Sequence, residues 1–249
     1  MSDQHHPIVA VHGVGSGTNW NRAGFSRELS DHVSRVQRPV RRIEYGEEKP
    51  PRRPPCSIFW KEALWEGEND RIDKRVAAGL RLLSVKFPGA WLAAPLLDLL
   101  ADVPLYCLTP QRRKIRKVVR DTIRMFPGCV VVAHSLGSVI VADILCQALR
   151  DGTLRRGDVS ALVTIGSPLN ILGLTKGAKM SGEFPFPWHD LYYPADRIHL
   201  KAPLDGKRFP GVDSRPLARD QGFVQAHTSY WGLSLIAKLV RRLSTGGAP

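Results

Sequence analysis

The residue of this chain best suited to do chemistry is Ser135, which stands where an apolar run ends and a helical run begins. Residues 130–138 read Val-Val-Val-Ala-His-Ser-Leu-Gly-Ser, and the helix-like segment 139–145 follows at once. A strand that turns so abruptly into a helix needs small residues around the turn, and it holds the side chain at its tip out of the fold. The backbone N–H groups that follow, at the start of a helix, can stabilise an oxyanion. This pattern predicts a nucleophilic serine.

A nucleophilic serine needs partners, because its hydroxyl is a poor nucleophile at neutral pH without a base and a carboxylate that orients the base. His227 precedes the last helical segment, and Asp196 follows the short strand predicted at 191–193. Loops at strand ends are where catalytic groups gather in open parallel sheets. Other residues remain alternatives, namely His199 for the base and, for the carboxylate, Asp190, Asp205 and Asp213.

Short apolar runs and amphipathic helical segments alternate along the chain. Besides the run before Ser135, strands are predicted at 8–11, 40–45, 160–166 and 191–193. Besides the run after Ser135, helices are predicted at 21–36, 111–126 and 229–243. The alternation predicts an α/β fold with a mostly parallel sheet covered by helices on both faces. The absence of repeats or a composition break predicts a single domain over 1–249.

The stretch 47–110 fits this alternation least. It opens with a loop rich in proline and arginine, and its later part, 80–108, is strongly apolar. Asp98, Asp102 and several prolines interrupt the apolar part, which argues against a membrane-spanning helix. We therefore predict that 47–110 is a helical insertion or cap, in which 80–108 forms a lid, core or a membrane-docking segment.

Several segments resemble the α/β-hydrolases, and in particular lipases and esterases. Ala133-His134-Ser135-Leu136-Gly137 is similar to their nucleophile elbow G-x-S-x-G, with alanine for the first glycine. Further similarities are the His-Gly pair after the first strand, a Gly-Ser-Pro strand end and a His-x-Ser-Tyr-Trp motif, at positions 12–13, 166–168 and 227–231. The similarity extends from Ile8 to Trp231 and implies the α/β-hydrolase fold with a lid-like helical insertion.

The resemblance also implies roles for individual residues. Ser135 would be the nucleophile, His227 the general base and acid, and Asp196 the residue that orients the histidine, in the family's chain order Ser…Asp…His. The oxyanion hole would be formed by the backbone N–H groups of Leu136 and Val14, with Gly13 as the alternative to Val14.

Composition narrows the function classes. The chain has 36 Lys and Arg against 23 Asp and Glu, for a net charge of +13, and much of the excess lies in the predicted helix 111–126. Such a charge run can bind phosphates or an anionic membrane surface, but a solvated outer face is the favoured interpretation, and no nucleic-acid motif accompanies it. The four cysteines form no C-x-x-C pair or metal-ligand spacing, so we expect no metal and no cofactor. Without a secretory signal, a cytoplasmic protein is expected.

These observations together predict a serine hydrolase that cleaves carboxylic esters through an acyl-enzyme. The apolar segment 80–108 would favour a small-molecule, lipid-like or medium-chain ester. Thioester or amide hydrolysis and acyl transfer would use the same residues, and a hydrolase-like fold that only binds a partner is the non-enzymatic alternative. Substrate-binding residues and the oligomeric state are not indicated by the sequence.

Overall fold

The structure is a computed structural model that describes residues 5–12, 33, 41–42, 59–63, 106, 111–174, 180–199, 202–218, 226–227 and 229–246. Its strands are β1 (Ile8–Val11), β2 (Arg41–Arg42), β3 (Phe59–Ala63), β4 (Cys129–His134), β5 (Val159–Ile165), β6 (Trp188–Tyr192) and β7 (Val212–Pro216). Its helices are α1 (Gln111–Met125), α2 (Leu136–Arg150), the short α3 (Leu169–Leu172) and α4 (Ser234–Ser244), and a 3₁₀ turn at Tyr230–Gly232 precedes α4.

Within the described residues, seven strands form one sheet in the order β2-β3-β1-β4-β5-β6-β7, and every neighbouring pair is parallel. Strands β1 and β4, near the middle, are buried along their whole length. Their sequences, Ile-Val-Ala-Val and Cys-Val-Val-Val-Ala-His, are nearly continuous apolar runs, as expected of a parallel sheet covered on both faces. The predicted α/β fold with a parallel sheet is confirmed.

Alternate residues of the central strands enter two separate cores. Val9 and Val131 pack on one face with α1 and α2, whereas Ile8 and Val130 pack on the other face with α4. Helices therefore cover both faces, because each strand residue points to the side opposite its neighbour. Within the described residues, no helix is long and apolar enough to cross a membrane.

Two strands were not predicted. β3 lies inside the stretch 47–110 and pairs with β1. The prediction that this stretch is a helical insertion or cap is therefore wrong for residues 59–63, which form a strand of the sheet. β7, Val-Asp-Ser-Arg-Pro, is a partly exposed edge strand, and its polar residues give no apolar run to recognise. Apart from β3 and Tyr106, the rest of 47–110, including 80–108, lies outside the described residues. So does the predicted helix 21–36, apart from Val33.

Several element boundaries also differ from the predictions, and two of them border the candidate site. β6 begins at Trp188 instead of residue 191, because its polar residues His189 and Asp190 find partners inside the fold. The last helix begins at Ser234 instead of residue 229, because a 3₁₀ turn occupies the positions before it. Both differences shift the loops that carry the candidate site, and neither changes the topology.

Candidate active site

Ser135 occupies the sharp turn between β4 and α2. Its backbone has φ 52° and ψ −129°, and it is the only non-glycine residue with positive φ in the described part of the chain. A side chain in this conformation costs on the order of 1–3 kcal/mol, so the surrounding structure must enforce it. Its N–H donates to the carbonyl of Ile165 at 3.1 Å, which ties the turn to the end of β5. The sharp strand-to-helix turn that the sequence predicts at Ser135 is thus present in the structure.

The glycine of the elbow is required by packing. A Cβ at Gly137 would lie 2.5 Å from the carbonyl oxygen of His12 and 2.6 Å from that of Val11. These are rigid backbone atoms at the end of β1, so only glycine lets the first turn of α2 approach the sheet this closely. The alanine at position 133 is buried in β4 and meets no such requirement.

Three predicted residues meet at this turn. Ser135 Oγ lies 2.9 Å from His227 Nε2, and His227 Nδ1 lies 2.9 Å from Asp196 Oδ2. All three are buried, with exposed fractions of 3%, 2% and 0%. With the Nδ1 proton donated to the carboxylate, Nε2 is left to accept the serine proton, which is the arrangement that activates a serine hydroxyl.

Asp196 is held by more than the histidine. The hydroxyl of Tyr230 donates to Oδ2 at 2.7 Å, and the N–H of Ile198 donates to Oδ1 at 2.9 Å. Burial opposes ionisation, but the hydrogen bonds from His227, Tyr230 and Ile198 outweigh it, so the pKa of the Asp196 carboxyl lies below its usual value. The Tyr230 hydroxyl in turn accepts the N–H of Tyr193 at 3.0 Å. The carboxylate is therefore fixed in its ionised form.

Tyr230 was not among the predicted site residues, although it lies in the His-x-Ser-Tyr-Trp motif. Its position depends on Gly166, at the end of β5, which has φ +56°. A Cβ there would lie 2.6 Å from the Tyr230 ring and 3.0 Å from Asp196 Oδ2. The glycine of the Gly-Ser-Pro strand end is thus explained by the space that Tyr230 and Asp196 occupy.

His134 contacts both the backbone and the ring of His227. Its Nε2 lies 2.9 Å from the backbone carbonyl of His227, and its ring packs against those of His227, Tyr230 and Trp231. Burial lowers the pKa of His134 to about 3, so the ring is neutral and its Nε2–H donates to that carbonyl. It therefore positions the loop that carries His227.

The alternatives Asp190 and His199 pair with each other instead. His199 Nε2 lies 2.8 Å from Asp190 Oδ2, and both side chains are fully buried. Hydroxyls of Thr164 and Ser214 also donate to this carboxylate, at 2.8 and 2.6 Å, and the His199 ring stacks on Tyr192. These contacts join β5, β6 and β7 and occupy both groups away from Ser135.

The other two alternatives are surface groups. Asp213, on β7, pairs with Arg215 at 2.7 Å and with His189 at 3.2 Å. The Asp205 carboxylate accepts the backbone N–H of Lys207 in an exposed turn. Neither contacts the histidine that faces Ser135.

Only one of the predicted oxyanion-hole residues, Leu136, lies within the described part of the chain. Leu136 is the first residue of α2, so its N–H belongs to the first turn, which has no acceptor within the helix. Val14 and Gly13, the predicted second donor and its alternative, lie outside the described residues. In the parts of the chain that are described, no group of three or more His, Cys, Asp or Glu side chains is placed to hold a metal ion.

The chain matches no family model and no curated protein. Among solved structures, it is similar to one described as "the putative cell surface hydrolase" from Lactobacillus plantarum, with TM-score 0.44 and 12% identity, covering 99% of this chain and 94% of that one. It is also similar to a structure from work on two fungal esterases from Rhizomucor miehei, with TM-score 0.47 and 11% identity, covering 98% of this chain and 77% of that one.

The fold is assigned from the parallel sheet, in which β4 is followed by Ser135 and then by α2. The fold is a parallel sheet with helices packed on both faces. Catalytic groups of such sheets lie at the ends where the strands terminate. Ser135 follows the end of β4, Gly166 follows β5 and Asp196 follows β6, so all three lie at that edge. This edge of the parallel sheet thus presents a hydroxyl, an imidazole and an ionised carboxylate, which are buried and linked by hydrogen bonds.

Proposed function

We propose that this protein is a serine hydrolase that cleaves carboxylic esters through an acyl-enzyme. The observation that supports the proposal best is the unbroken chain from Ser135 Oγ through the His227 ring to Asp196, built on a backbone conformation unfavourable for serine. A serine that only stabilised a turn would need neither the strained φ nor a buried imidazole–carboxylate pair.

The reaction follows from the atoms in contact. Ser135 Oγ bonds to the ester carbonyl carbon while its proton passes to His227 Nε2. The carbonyl oxygen becomes an oxyanion beside the Leu136 N–H, and Asp196 stabilises the imidazolium. The C–O bond then breaks and the alcohol leaves with the Nε2 proton. Water attacks the acyl-enzyme in the same way, the carboxylic acid is released, and Ser135 regains its proton.

The test is covalent labelling with a fluorophosphonate probe, followed by mass spectrometry of the labelled peptide. We expect one labelled residue, Ser135, and no labelling of Ser135→Ala. A folded protein that resists the probe in its wild-type form would contradict the proposal and favour a binding module. Rates with p-nitrophenyl esters of increasing chain length, and with thioester and amide analogues, then define the leaving group and the acyl chain.

The role of Asp196 is tested by a matched pair of variants. Asp196→Asn removes the acceptor of the His227 Nδ1 proton and favours the wrong tautomer, so the labelling rate should fall by a factor of about 10³–10⁴. Asp213→Asn removes a surface carboxylate and should label at nearly the wild-type rate. The reverse ranking would show that Asp196 is not the orienting carboxylate. The expected lipid-like substrate and cytoplasmic location stay predictions.

A further inference from the structure

A second site lies far from Ser135, in a groove of about 870 Å³ between α1 and the connection from α2 to β5. We call it the basic groove. Its wall on α1 carries six of its basic side chains, between Arg112 and Arg124, and Arg155 stands on the opposite wall. Two acidic side chains, Asp151 and Asp158, also line it. The groove therefore has a strong excess of positive charge.

The basic side chains form an ordered row. Arg113, Arg116, Arg120 and Arg124 are spaced three or four residues apart, so they follow one face of the helix. At 1.5 Å per residue, the row is roughly 16 Å long. Like charges so spaced repel each other on an isolated helix, so the row has an energetic cost that a bound anion would relieve.

Few of these charges are neutralised by the protein. Asp121 pairs with Lys117 and contacts Arg120, at 2.7 and 3.4 Å. Within the described residues, Arg113 and Arg124 form no ion pair. Both side chains are exposed, so their guanidinium groups are accessible from the groove. Guanidinium groups that no carboxylate neutralises can pair with an anionic ligand.

The lining of the groove indicates which ligand would fit. Guanidinium groups bind phosphate oxygens in a bidentate manner, and several in a row match a chain of linked phosphates. No aromatic side chain lines the groove in the described part of the chain, so single-stranded bases have nothing to stack on. Its volume lies in the range of small-molecule sites. The apolar floor, with Ile123 and Leu145, can hold an uncharged part of a ligand.

The position of the basic groove separates it from the catalytic edge. Pro127 precedes β4 and Val159 opens β5, so the groove lies where the strands begin. Ser135 follows the last residue of β4, a distance of about 20 Å along a strand of this length. An anionic membrane held in the groove would therefore lie at the edge of the sheet remote from Ser135.

We propose that the basic groove binds a soluble ligand that carries two or more phosphate groups. This site does not depend on the proposed hydrolase activity, because it shares no residue with the chain of Ser135, His227 and Asp196. The ligand would lie along α1, with its phosphates on the arginine row.

The test is isothermal titration calorimetry with inorganic triphosphate as the probe. Three proteins are compared: wild type, the double variant Arg113→Gln/Arg124→Gln, and the control Lys238→Gln/Arg242→Gln. The control removes the same charge from exposed positions on α4, away from the groove. Binding to wild type should weaken as salt is raised. The groove variant should bind at least about tenfold more weakly, and the control within about twofold of wild type.

Other outcomes would overturn the proposal. Equal weakening in both variants would mean that only the net charge attracts the probe. No heat of binding even at low salt would mean that the groove holds no phosphate chain. A separate arm measures sedimentation with phosphatidylcholine vesicles with and without phosphatidylserine. Binding to the anionic vesicles without binding of triphosphate would show that the row serves a membrane instead. All four substituted side chains are exposed, so thermal melts should stay close to wild type.

Discussion

Replacing Gly166 by alanine tests the geometry of the candidate site, and the same replacement at Gly152 is the control. Both glycines have positive φ, +56° and +64°, so alanine meets a similar backbone strain at each. They differ in their surroundings: a Cβ at Gly152 meets nothing within 4 Å, whereas a Cβ at Gly166 lies 2.6 Å from the buried Tyr230 ring and 3.0 Å from Asp196 Oδ2. The difference between the two alanine variants therefore measures crowding at the site.

The expected magnitudes follow from these two effects. Gly152→Ala should cost about 1–2 kcal/mol of unfolding free energy from backbone strain alone. Gly166→Ala should cost roughly 1–3 kcal/mol more, because the ring or the carboxylate must move inside a packed core. For a chain of this size the extra cost corresponds to a further drop in Tm of about 2–12 °C. Displacement of Asp196 should also slow fluorophosphonate labelling at least about tenfold.

The assays are differential scanning calorimetry and the labelling rate of Ser135, measured on both variants under the same conditions. Gly152→Ala should lose stability and keep the wild-type labelling rate. Gly166→Ala should lose more stability and also label slowly. If both variants melt together and both label normally, then Tyr230 and Asp196 do not pack against Gly166, and the reasoning on this edge of the sheet fails.

Three further predictions concern side chains at the site and in the core. Tyr230→Phe removes a donor from the buried Asp196 carboxylate, which should slow ester hydrolysis by about 10–100-fold. Because the more basic carboxylate then favours the imidazolium, the acidic limb of the kcat/KM profile should move to higher pH, whereas an unmoved limb would assign Tyr230 a purely structural role. The losses from Ser135→Ala and His227→Ala should not add in the double variant, since the two act as a unit, and additive losses in kcat would refute that. Burial raises the pKa of Cys129 and of Cys146 to about 12, so iodoacetamide at pH 8 should alkylate these two thiols only after denaturation, and alkylation of the folded protein would show that they are accessible.

The sequence by itself determined those elements whose conformation depends on the residue types within a short segment of chain. The apolar runs of β1 and β4 identify buried central strands, since few other structures accept so many consecutive β-branched residues. The small residues around Ser135 predict its turn because the strained backbone tolerates little else. The amphipathic pattern of 111–126 predicts α1 to within one residue. The parallel sheet follows from the alternation of such segments.

The polar start of β6 and the whole of β7 were not predicted, because the partners of their polar residues come from elsewhere in the chain. β6 contains His189 and Asp190, whose burial is acceptable only because Asp213, His199 and Ser214 meet them. β7 carries no apolar alternation, and its pairing with β6 defines it as a strand. Such elements depend on contacts between distant segments, which no local pattern records.

The pairing of the candidate groups was decided by the tertiary structure alone. The sequence offered two histidines and four aspartates, and chain order favoured His227 and Asp196 without excluding the others. The fold directs His199 onto Asp190 inside the sheet and His227 onto Asp196 beside Ser135, because β6 ends between the two aspartates and places them on different levels of the sheet. The sequence determined which chemical groups are present, whereas distance and burial, which only the folded chain possesses, determined which of them act on each other.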